Sequence, residues 1–369
     1  MQTGLIQNAH NDLVTDAAYD FYGLRLATSS LDQRVKVWQL DEQAGTWTST
    51  HDWKAHDAAV SKLTWAHPEF GSIIASGSFD RTVKIWEEAL GETEQPQMNG
   101  GGAPATASSS RWVERAVNSD AKGSVRGVEF APHHFGLKLA TISSDHHLRI
   151  YECLEVPALS TWQLSEEIDV SSIAVTSPSA GSHTQSIALS TPTQTYTSLD
   201  GPSASLVASA LQQHQNQPPN RPGTGSKEAD GGWCISWCKD KYWGEVIAAG
   251  AGINGIIKII QLSPSRRPTT VFTLDPSPSS DPYASTTAGE DGSQTSSVTS
   301  VAWAPSCGRS YHLVATGGRD GHVRIWRLKP PAYDDEGADG DAGRWEGTMV
   351  ADFDHHKSAV GRVEWNITG

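Results

Sequence analysis

The chain of 369 residues lacks several features that mark whole classes of protein. Its only four cysteines are Cys153, Cys234, Cys238 and Cys307, and no two of them form a CxxC pair. We therefore expect reduced thiols rather than a disulfide framework or a zinc site. No apolar run approaches the roughly 20 residues of a membrane-spanning helix, so no transmembrane segment is expected. The first ten residues lack the basic start and apolar centre of a secretory signal.

Positive charge is also scarce. Lys and Arg number 28 against 42 Asp and Glu, which gives a net charge of −14 with His neutral. A nucleic-acid-binding surface needs clustered cations, and the sequence shows no basic stripe, so we expect no direct nucleic-acid ligand. The sequence also lacks a single constellation of nucleophile, base and oxyanion donors, and it lacks a metal-ligand set. These absences predict a non-enzymatic protein without a cofactor.

What the sequence does contain is a repeat. A Val is followed five residues later by an aromatic residue, and within each copy apolar residues tend to alternate with small or polar ones, which is typical of a half-buried strand. The copies are Val14–Tyr19, Val60–Trp65, Val125–Phe130, Val298–Trp303 and residues 360–365, with a degenerate copy at Gly232–Trp237.

A second motif follows each of the first five copies. A short apolar strand leads to a turn Asp, whose side chain can bond the turn backbone, and an aromatic residue comes six positions later. The pairs are Asp32 and Trp38, Asp80 and Trp86, Asp145 and Tyr151, and Asp320 and Trp326, with Asn254 and Ile260 in the worn fourth copy. Less regular fourth strands are predicted at 47–53, 112–117, 162–168, 269–274 and 345–353.

Four short strands per repeat predict an all-β, WD40-type β-propeller, in which neighbouring blades supply the core that one blade cannot form alone. We expect a single propeller over residues 1–369. Its blades are predicted at about 10–56, 57–120, 121–170, 232–275 and 298–355, while residues 356–369 supply only the first strand of a sixth blade. Residues 91–110, 171–231, 275–297 and 333–343 are predicted to be disordered insertions, because they are too polar or too rich in Gly, Ser, Thr and Pro to form a core.

In WD-repeat proteins a His, a Ser or Thr, the turn Asp and the third-strand Trp are bonded in series. Blade one offers His10, Thr28, Asp32 and Trp38 for this network, and blade two offers His56, Ser76, Asp80 and Trp86. Blades three and five keep Thr141 and Thr316 with their Asp but lack the His. An Asp–His–Ser grouping also fits a catalytic triad, but its repetition with the blades favours a structural role.

Three segments carry a more specific resemblance: residues 65–88, WAHPEFGSIIASGSFDRTVKIWEE, residues 130–152, FAPHHFGLKLATISSDHHLRIYE, and residues 360–369, VGRVEWNITG. They resemble the Sec-thirteen-homologue nucleoporins of the nuclear pore Y complex. The resemblance implies an open six-bladed propeller that a helical-solenoid nucleoporin completes with an inserted blade. It implies contacts with other Y-complex nucleoporins, a place at the nuclear pore and nuclear envelope, and a role in pore assembly and in mRNA and protein transport. It also implies membership of the SEA complex at the vacuole membrane surface, with a role in target-of-rapamycin signalling.

The predicted gap in the ring gives a candidate partner-binding surface. We expect it to be bordered by Leu13, Val14, Thr15, Asp16, Ala17 and Ala18 on one side and by Val363, Glu364 and Trp365 on the other. Two alternatives remain open. One is a subunit of the related coat protein II cage in vesicle transport. The other is a peptide-reading adaptor, which requires basic or aromatic residues at the mouth of the central channel.

Overall fold

The alternating patterns become short antiparallel strands in a computed structural model of the chain, which describes residues 5–89, 111–173, 231–263, 266–276, 296–331 and 345–369. All of these belong to one compact unit, Met1–Thr176 with Glu228–Gly369. A second unit, Ser177–Lys227, lies outside the described residues. So do the predicted insertions 91–110 and 333–343 and all but the ends of 171–231 and 275–297.

The described strands form five four-stranded antiparallel sheets, each paired in chain order. Sheet one contains β1 (Val14–Tyr19), β2 (Arg25–Ser30), β3 (Arg34–Asp41) and β4 (Thr46–Lys54). Sheet two contains β5 (Val60–Trp65), β6 (Ile73–Ser78), β7 (Val83–Ala89) and β8 (Arg111–Asn118). Sheet three contains β9 (Val125–Phe130), β10 (Lys138–Ser143), β11 (His147–Cys153) and β12 (Trp162–Asp169). Sheet four contains β13 (Gly232–Trp237), β14 (Val246–Gly252), β15 (Ile257–Ser263) and β16 (Arg266–Leu274). Sheet five contains β17 (Val298–Trp303), β18 (His312–Gly318), β19 (Val323–Lys329) and β20 (Glu346–Phe353).

The first strands of successive sheets lie side by side, in the order β1, β5, β9, β13 and β17. Between neighbouring sheets lie apolar clusters. In one of them Val35 and Val37 of sheet one pack with Leu63, Ile74 and Trp86 of sheet two. Successive sheets from one to five therefore bury the faces that meet, as the repeat pattern predicts.

Hydrogen bonds between neighbouring first strands follow a repeated pattern. A hydroxyl at the second strand position donates to the carbonyl of the next strand's first residue, as Ser61 does to Val125 at 2.6 Å. An indole at the sixth position donates to a carbonyl of the preceding strand, as Trp65 does to Ala18 at 2.9 Å. These bonds fix the stagger of adjacent sheets.

Residues 360–365 occupy the place of a sixth first strand. Thr299 donates its hydroxyl to the Val360 carbonyl, and the Trp365 indole donates to the Ala302 carbonyl at 2.9 Å. Val360 packs directly over Gly317, as Val125 packs over Gly77. A Cβ on either glycine would lie 2.6 Å from the valine methyl, so only glycine allows this approach. The segment is not assigned as a strand, because no described strand pairs with it.

Arg362 links this segment to sheet one. Its guanidinium donates to the Asp16 carboxylate and, at 2.7 Å, to the Ala17 carbonyl. The innermost layer is therefore continuous from β1 through β17 and residues 360–365 back to β1. An arginine bond takes the place of the indole bond at this junction.

Candidate functional site: a slot between sheets five and one

The third strands reveal a face of sheet five that lacks a neighbour among the described residues. Val35, Val37, Val83 and Ile85 of sheets one and two are at most 2% exposed, because the next sheet covers them. The strand registers place Val323 and Ile325 at the corresponding positions of β19. Both are only half-buried, and Phe353, paired with Val323, is 46% exposed. Sheet five thus presents an apolar face that its counterparts bury.

Sheet one presents the complementary face. By register, Tyr19, Leu26 and Trp38 correspond to Trp65, Ile74 and Trp86, which sheet two packs against sheet one. Tyr19 is 60% exposed, and its ring lies 5.8 Å from the Trp47 ring, centre to centre. Leu26 and Trp38 are buried within sheet one, so Tyr19 is the member of this set that stays exposed.

We call the space between these faces the slot. It is defined by Val323, Ile325 and Phe353 of sheet five, by Tyr19 and Trp47 of sheet one, and by residues 360–365 as its inner wall. A cavity of about 440 Å³ lies against sheet five, lined by Ala315, Val323, Ile325 and residues of the 356–365 segment. Among the described residues, the slot therefore has the apolar side chains of sheet five on one side and residues 360–365 toward the channel.

The predicted border residues of β1 are held by neighbouring strands. The Thr15 hydroxyl donates to Val60, and the buried Asp16 carboxylate accepts the Leu63 N–H at 3.1 Å. The Ala18 carbonyl accepts the Trp65 indole, and Ala17 accepts from Arg362. These residues face sheet two or residues 360–365 because β1 is an inner strand with a neighbour on each side.

The remaining predicted border residues fall into an exposed group and a group bonded to sheet five or to a neighbouring residue. Leu13 is 71% exposed and Val14 is 49% exposed. The Val363 N–H is held by the Ser300 hydroxyl at 3.1 Å, and Trp365 is held by Ala302, while the Glu364 carboxylate pairs with Arg362. Residues 363–365 therefore form the inner wall. The accessible surface comes from β19, β20 and β4 and from Tyr19 at the end of β1, which the sequence reasoning did not single out.

The polar residues predicted for blade two form a continuous network. The Trp86 indole donates to Ser76 at 2.9 Å, Ser76 lies 2.8 Å from His56 Nε2, and His56 Nδ1 lies 2.9 Å from the Asp80 carboxylate. The network assigns the proton of His56 to Nδ1. Asp80 also accepts the backbone N–H groups of Asp57 and Thr82.

Blade one repeats this arrangement. The Trp38 indole donates to Thr28 at 2.9 Å, His10 Nε2 lies 2.8 Å from the Thr28 hydroxyl, and His10 Nδ1 lies 3.0 Å from Asp32. Thr28 is 5% exposed and Ser76 is fully buried, so neither hydroxyl faces a substrate cleft. The repeated burial of the Asp–His–Ser/Thr grouping fits a structural role.

Burial and hydrogen bonding act in opposite directions on the turn aspartates. Burial tends to raise the pKa of Asp80, but the bonds from His56 and Thr82 outweigh it and hold that pKa well below its usual value. Burial also tends to raise the pKa of Asp32, but hydrogen bonds from the Asn11 backbone and the His10 side chain outweigh it and lower that pKa. Both carboxylates are therefore ionised anchors for the turn backbone.

Asp80→Ala is expected to lower the free energy of unfolding by about 1–3 kcal/mol, because His56 and two backbone N–H groups lose their acceptor. Asn254→Ala, at the exposed corresponding turn of sheet four, is expected to change it by less than about 0.5 kcal/mol. Chemical denaturation of both variants measures the difference. Equal losses would contradict the role assigned to the network.

In the two sheets that keep the turn Asp but lack the histidine, an arginine donates to that Asp, and the sequence reasoning missed both arginines. In sheet three Arg149 donates to Ser143 at 2.8 Å and to Asp145 at 2.8 Å, and it also pairs with Glu167. In sheet five Arg324 donates to Asp320 at 2.8 Å and pairs with Asp352. Each arginine stands four residues after its turn Asp. That spacing is the signal that could have identified them.

The described residues show no arrangement of three or more His, Cys, Asp or Glu side chains that could hold a metal ion. Cys153, Cys234 and Cys238 are buried free thiols, and burial raises the pKa of Cys234 and Cys238 to about 12. Cys307 is exposed. Among the described helices, none is long and apolar enough to cross a membrane.

The chain matches the family "WD domain, G-beta repeat" over residues 3–39, 47–87 and 287–327. Nucleoporin SEH1-A of Xenopus laevis is 34% identical to it, over 98% of this chain and 78% of the relative. Nucleoporin SEH1 of Homo sapiens is 34% identical with the same coverage. Nucleoporin SEH1 of Saccharomyces cerevisiae is 31% identical over 98% of this chain and 89% of the relative. The chain belongs to the SEH1 nucleoporin family.

This membership confirms the family resemblance seen in the sequence, and with it the expectation that the chain is a protein of the nuclear pore complex. The WD-repeat match and the five antiparallel sheets confirm the predicted all-β, WD40-type propeller fold. For this SEH1-family chain, the slot is the feature that separates sheet five from the other four.

Proposed function

We propose that this SEH1-family chain is a non-enzymatic scaffold subunit of the Y complex of the nuclear pore. Its slot receives a blade from a helical-solenoid nucleoporin, which completes a six-bladed ring. Through this partner the chain joins the other Y-complex nucleoporins and supports pore assembly and the transport of mRNA and protein. The relatives' nucleoporin names favour this function over that of a coat protein II cage subunit.

The observation that carries the proposal is the apolar surface left exposed on sheet five, together with the exposed Tyr19 of sheet one. Val323 and Ile325 are half-buried where their counterparts are almost fully buried, and Tyr19 is exposed where its counterpart Trp65 packs on sheet one. Apolar surface of this kind is either covered by a partner or favours aggregation.

The geometry of the inner wall supports strand addition. Residues 360–365 are held like a first strand, yet no described strand pairs with their outer edge. Backbone groups along such an edge can pair with an added strand, which is the mode of β-augmentation. Strands donated by the partner would pair with residues 360–365 and pack against both walls of the slot.

The same slot offers a second assembly, the SEA complex, because one propeller can receive a similar blade from different solenoid proteins. In that setting the chain would act at the vacuole membrane surface in target-of-rapamycin signalling. Affinity purification of the tagged full chain, with mass spectrometry, separates the assemblies by the solenoid recovered. Recovery of histone or ubiquitin-ligase components, without a pore or SEA solenoid, would favour a peptide-reading adaptor.

Co-expression with the solenoid nucleoporin is the direct test. We expect the chain alone to be poorly soluble, and we expect the solenoid to raise both its soluble yield and its melting temperature, because the slot faces become buried. Co-expression with a propeller from outside this family is the control. If the chain alone is soluble and monodisperse, and its melting temperature does not change when the solenoid is present, the proposal is overturned.

A further inference from the structure

The two ends of the inner layer meet at a junction that lacks the repeated hydrogen bonds. From sheet one to sheet two, the Thr15 hydroxyl and the Trp65 indole both donate to carbonyls across the junction. Thr299 and Trp365 make the same pair of bonds between sheet five and residues 360–365. The junction between residues 360–365 and sheet one is built differently.

At this junction the two bonding positions hold other residues. Gly361 occupies the hydroxyl position and has no side chain, while Tyr19 occupies the indole position and is 60% exposed. Among the described residues, the hydrogen bonds across the junction come from Arg362, whose guanidinium donates to the Asp16 carboxylate and, at 2.7 Å, to the Ala17 carbonyl. One side chain therefore supplies the bonds that two side chains supply at the other two junctions.

Among the described residues, no core fixes the separation of sheets five and one. Apolar clusters fill the space between each successive pair of sheets from one to five. No sheet of the described residues lies between sheets five and one, on the two sides of the slot. Elements joined by few buried contacts can move relative to each other, so the separation of these two sheets depends on the inner layer and hence on Arg362.

Asp16 is a well-bonded anchor for this link. Its side chain is 3% exposed, and its carboxylate also accepts the Leu63 N–H at 3.1 Å and lies 3.3 Å from the Lys62 amino group. The Arg362 side chain is 40% exposed and pairs as well with Glu364 of its own segment, at 3.0 Å. Removing the Arg362 guanidinium leaves Asp16 with two partners in sheet two, so we expect the fold of the chain to survive the change.

We propose that Arg362 is a positioning residue that holds sheets five and one at the separation that a donated blade requires. The link belongs to the isolated chain, whereas its effect on partner capture rests on the proposed function. Without the link the two sheets adopt a range of separations, and a smaller fraction of the molecules is ready to receive the blade. The apparent affinity for the partner falls in proportion to that fraction.

The first test measures the separation of the sheets in the chain alone. Spin labels on Thr48→Cys in β4 and Met349→Cys in β20, both exposed positions, report the distance between sheets one and five by pulsed electron paramagnetic resonance. Cys307→Ser removes the native thiol that is exposed. We expect a narrow distance distribution for the labelled wild type and a broader one for Arg362→Gln. Arg362→Lys should fall between them, because it keeps the charge without the forked geometry.

Lys62→Gln is the matched control for this measurement. It removes one positive charge from the same Asp16 carboxylate, but from the side of sheet two, so the link across the junction stays intact. Its distance distribution should match that of the wild type. An unchanged distribution for Arg362→Gln, or equal broadening by Lys62→Gln, would overturn the inference whatever partner the chain binds.

The second test measures capture of the solenoid nucleoporin by the unlabelled full chain, with surface plasmon resonance. We expect Arg362→Gln to lower the association rate by about tenfold and to leave the dissociation rate nearly unchanged, because the bound blade itself then sets the separation of the sheets. Faster dissociation with an unchanged association rate would show that Arg362 contacts the partner and would overturn the positioning role. If the wild type captures no solenoid, the proposed function fails, and the distance measurement still decides whether Arg362 links the two sheets.

Discussion

Ile325→Asp is expected to weaken capture of the blade-donating solenoid by more than about 100-fold while leaving the melting temperature of the isolated chain within about 2 °C of the wild type. Ile325 is half-buried in the isolated chain, so a carboxylate there remains hydrated. Once a donated blade covers the slot, the same carboxylate is buried without a partner, at a cost of several kcal/mol. Co-purification and thermal unfolding measure the two effects.

Ile85→Asp is the matched control, because Ile85 holds the same register position in sheet two and is fully buried by sheet three. Here the carboxylate is buried in the isolated chain itself. We expect loss of soluble protein or a fall of more than about 10 °C in melting temperature. If Ile325→Asp unfolds the chain as severely as Ile85→Asp does, sheet five is already covered and the slot does not exist.

The strands were predictable because each repeat combines an alternation of apolar and polar residues with a recognisable turn residue. Alternation identified β5, and Asp80 located the turn between β6 and β7. The fourth strand β16 begins three residues before its predicted start at 269, because no motif marks where it begins. Strand positions therefore follow from local pattern wherever a turn residue anchors the pattern.

The faces of the slot could not be predicted in the same way. Val323 and Ile325 look like Val83 and Ile85 in the sequence, and what distinguishes them is that no sheet of the described residues covers them. Exposure is a property of the assembled ring, not of the repeat. Asp16 is the opposite case. Its position beside the gap suggested exposure, but its carboxylate is buried and accepts hydrogen bonds from Leu63 and Arg362.

Arg149 escaped prediction because the expected network was defined by its His, which blade three lacks. Sheet three needs a donor for its turn Asp, and a guanidinium supplies one. Arg149 bonds Asp145 and Ser143 from the third strand, whereas His56 reaches Asp80 and Ser76 from ahead of the first strand. By register the counterpart of Ser76 is Thr141, so the two arrangements share the bond to the turn Asp and differ in the hydroxyl that is bonded.

Arg149→Ala is therefore expected to be one of the most destabilising single changes in the chain. The Arg149 side chain is 1% exposed and that of Asp145 is 11% exposed, so removing the cation leaves a largely buried carboxylate without its main partner. Loss of one partner of a buried ion pair costs about 3–5 kcal/mol. Chemical denaturation measures the loss, and Arg149→Lys should recover part of it by restoring charge without the forked geometry.

Arg324→Ala provides the comparison, since Arg324 makes the corresponding bond in sheet five with more solvent around it. Its side chain is 13% exposed and that of Asp320 is 27% exposed, so water compensates for much of the lost bond. The expected loss is about 1 kcal/mol or less. If both variants lose the same stability, burial does not determine how much an arginine contributes to stability. The role assigned to Arg149 would then be wrong.

The acid response distinguishes lost charge pairing from lost packing. Burial tends to raise the pKa of Asp145, but bonds led by the one from Arg149 outweigh it and hold that pKa below its usual value. A carboxyl with a depressed folded-state pKa contributes stability above its unfolded-state pKa of about 4, and that contribution is lost as the pH falls further. The stability difference between the wild type and Arg149→Ala should therefore be largest at neutral pH and should narrow below about pH 4. A difference that stays constant across this range would assign Arg149 a packing role alone.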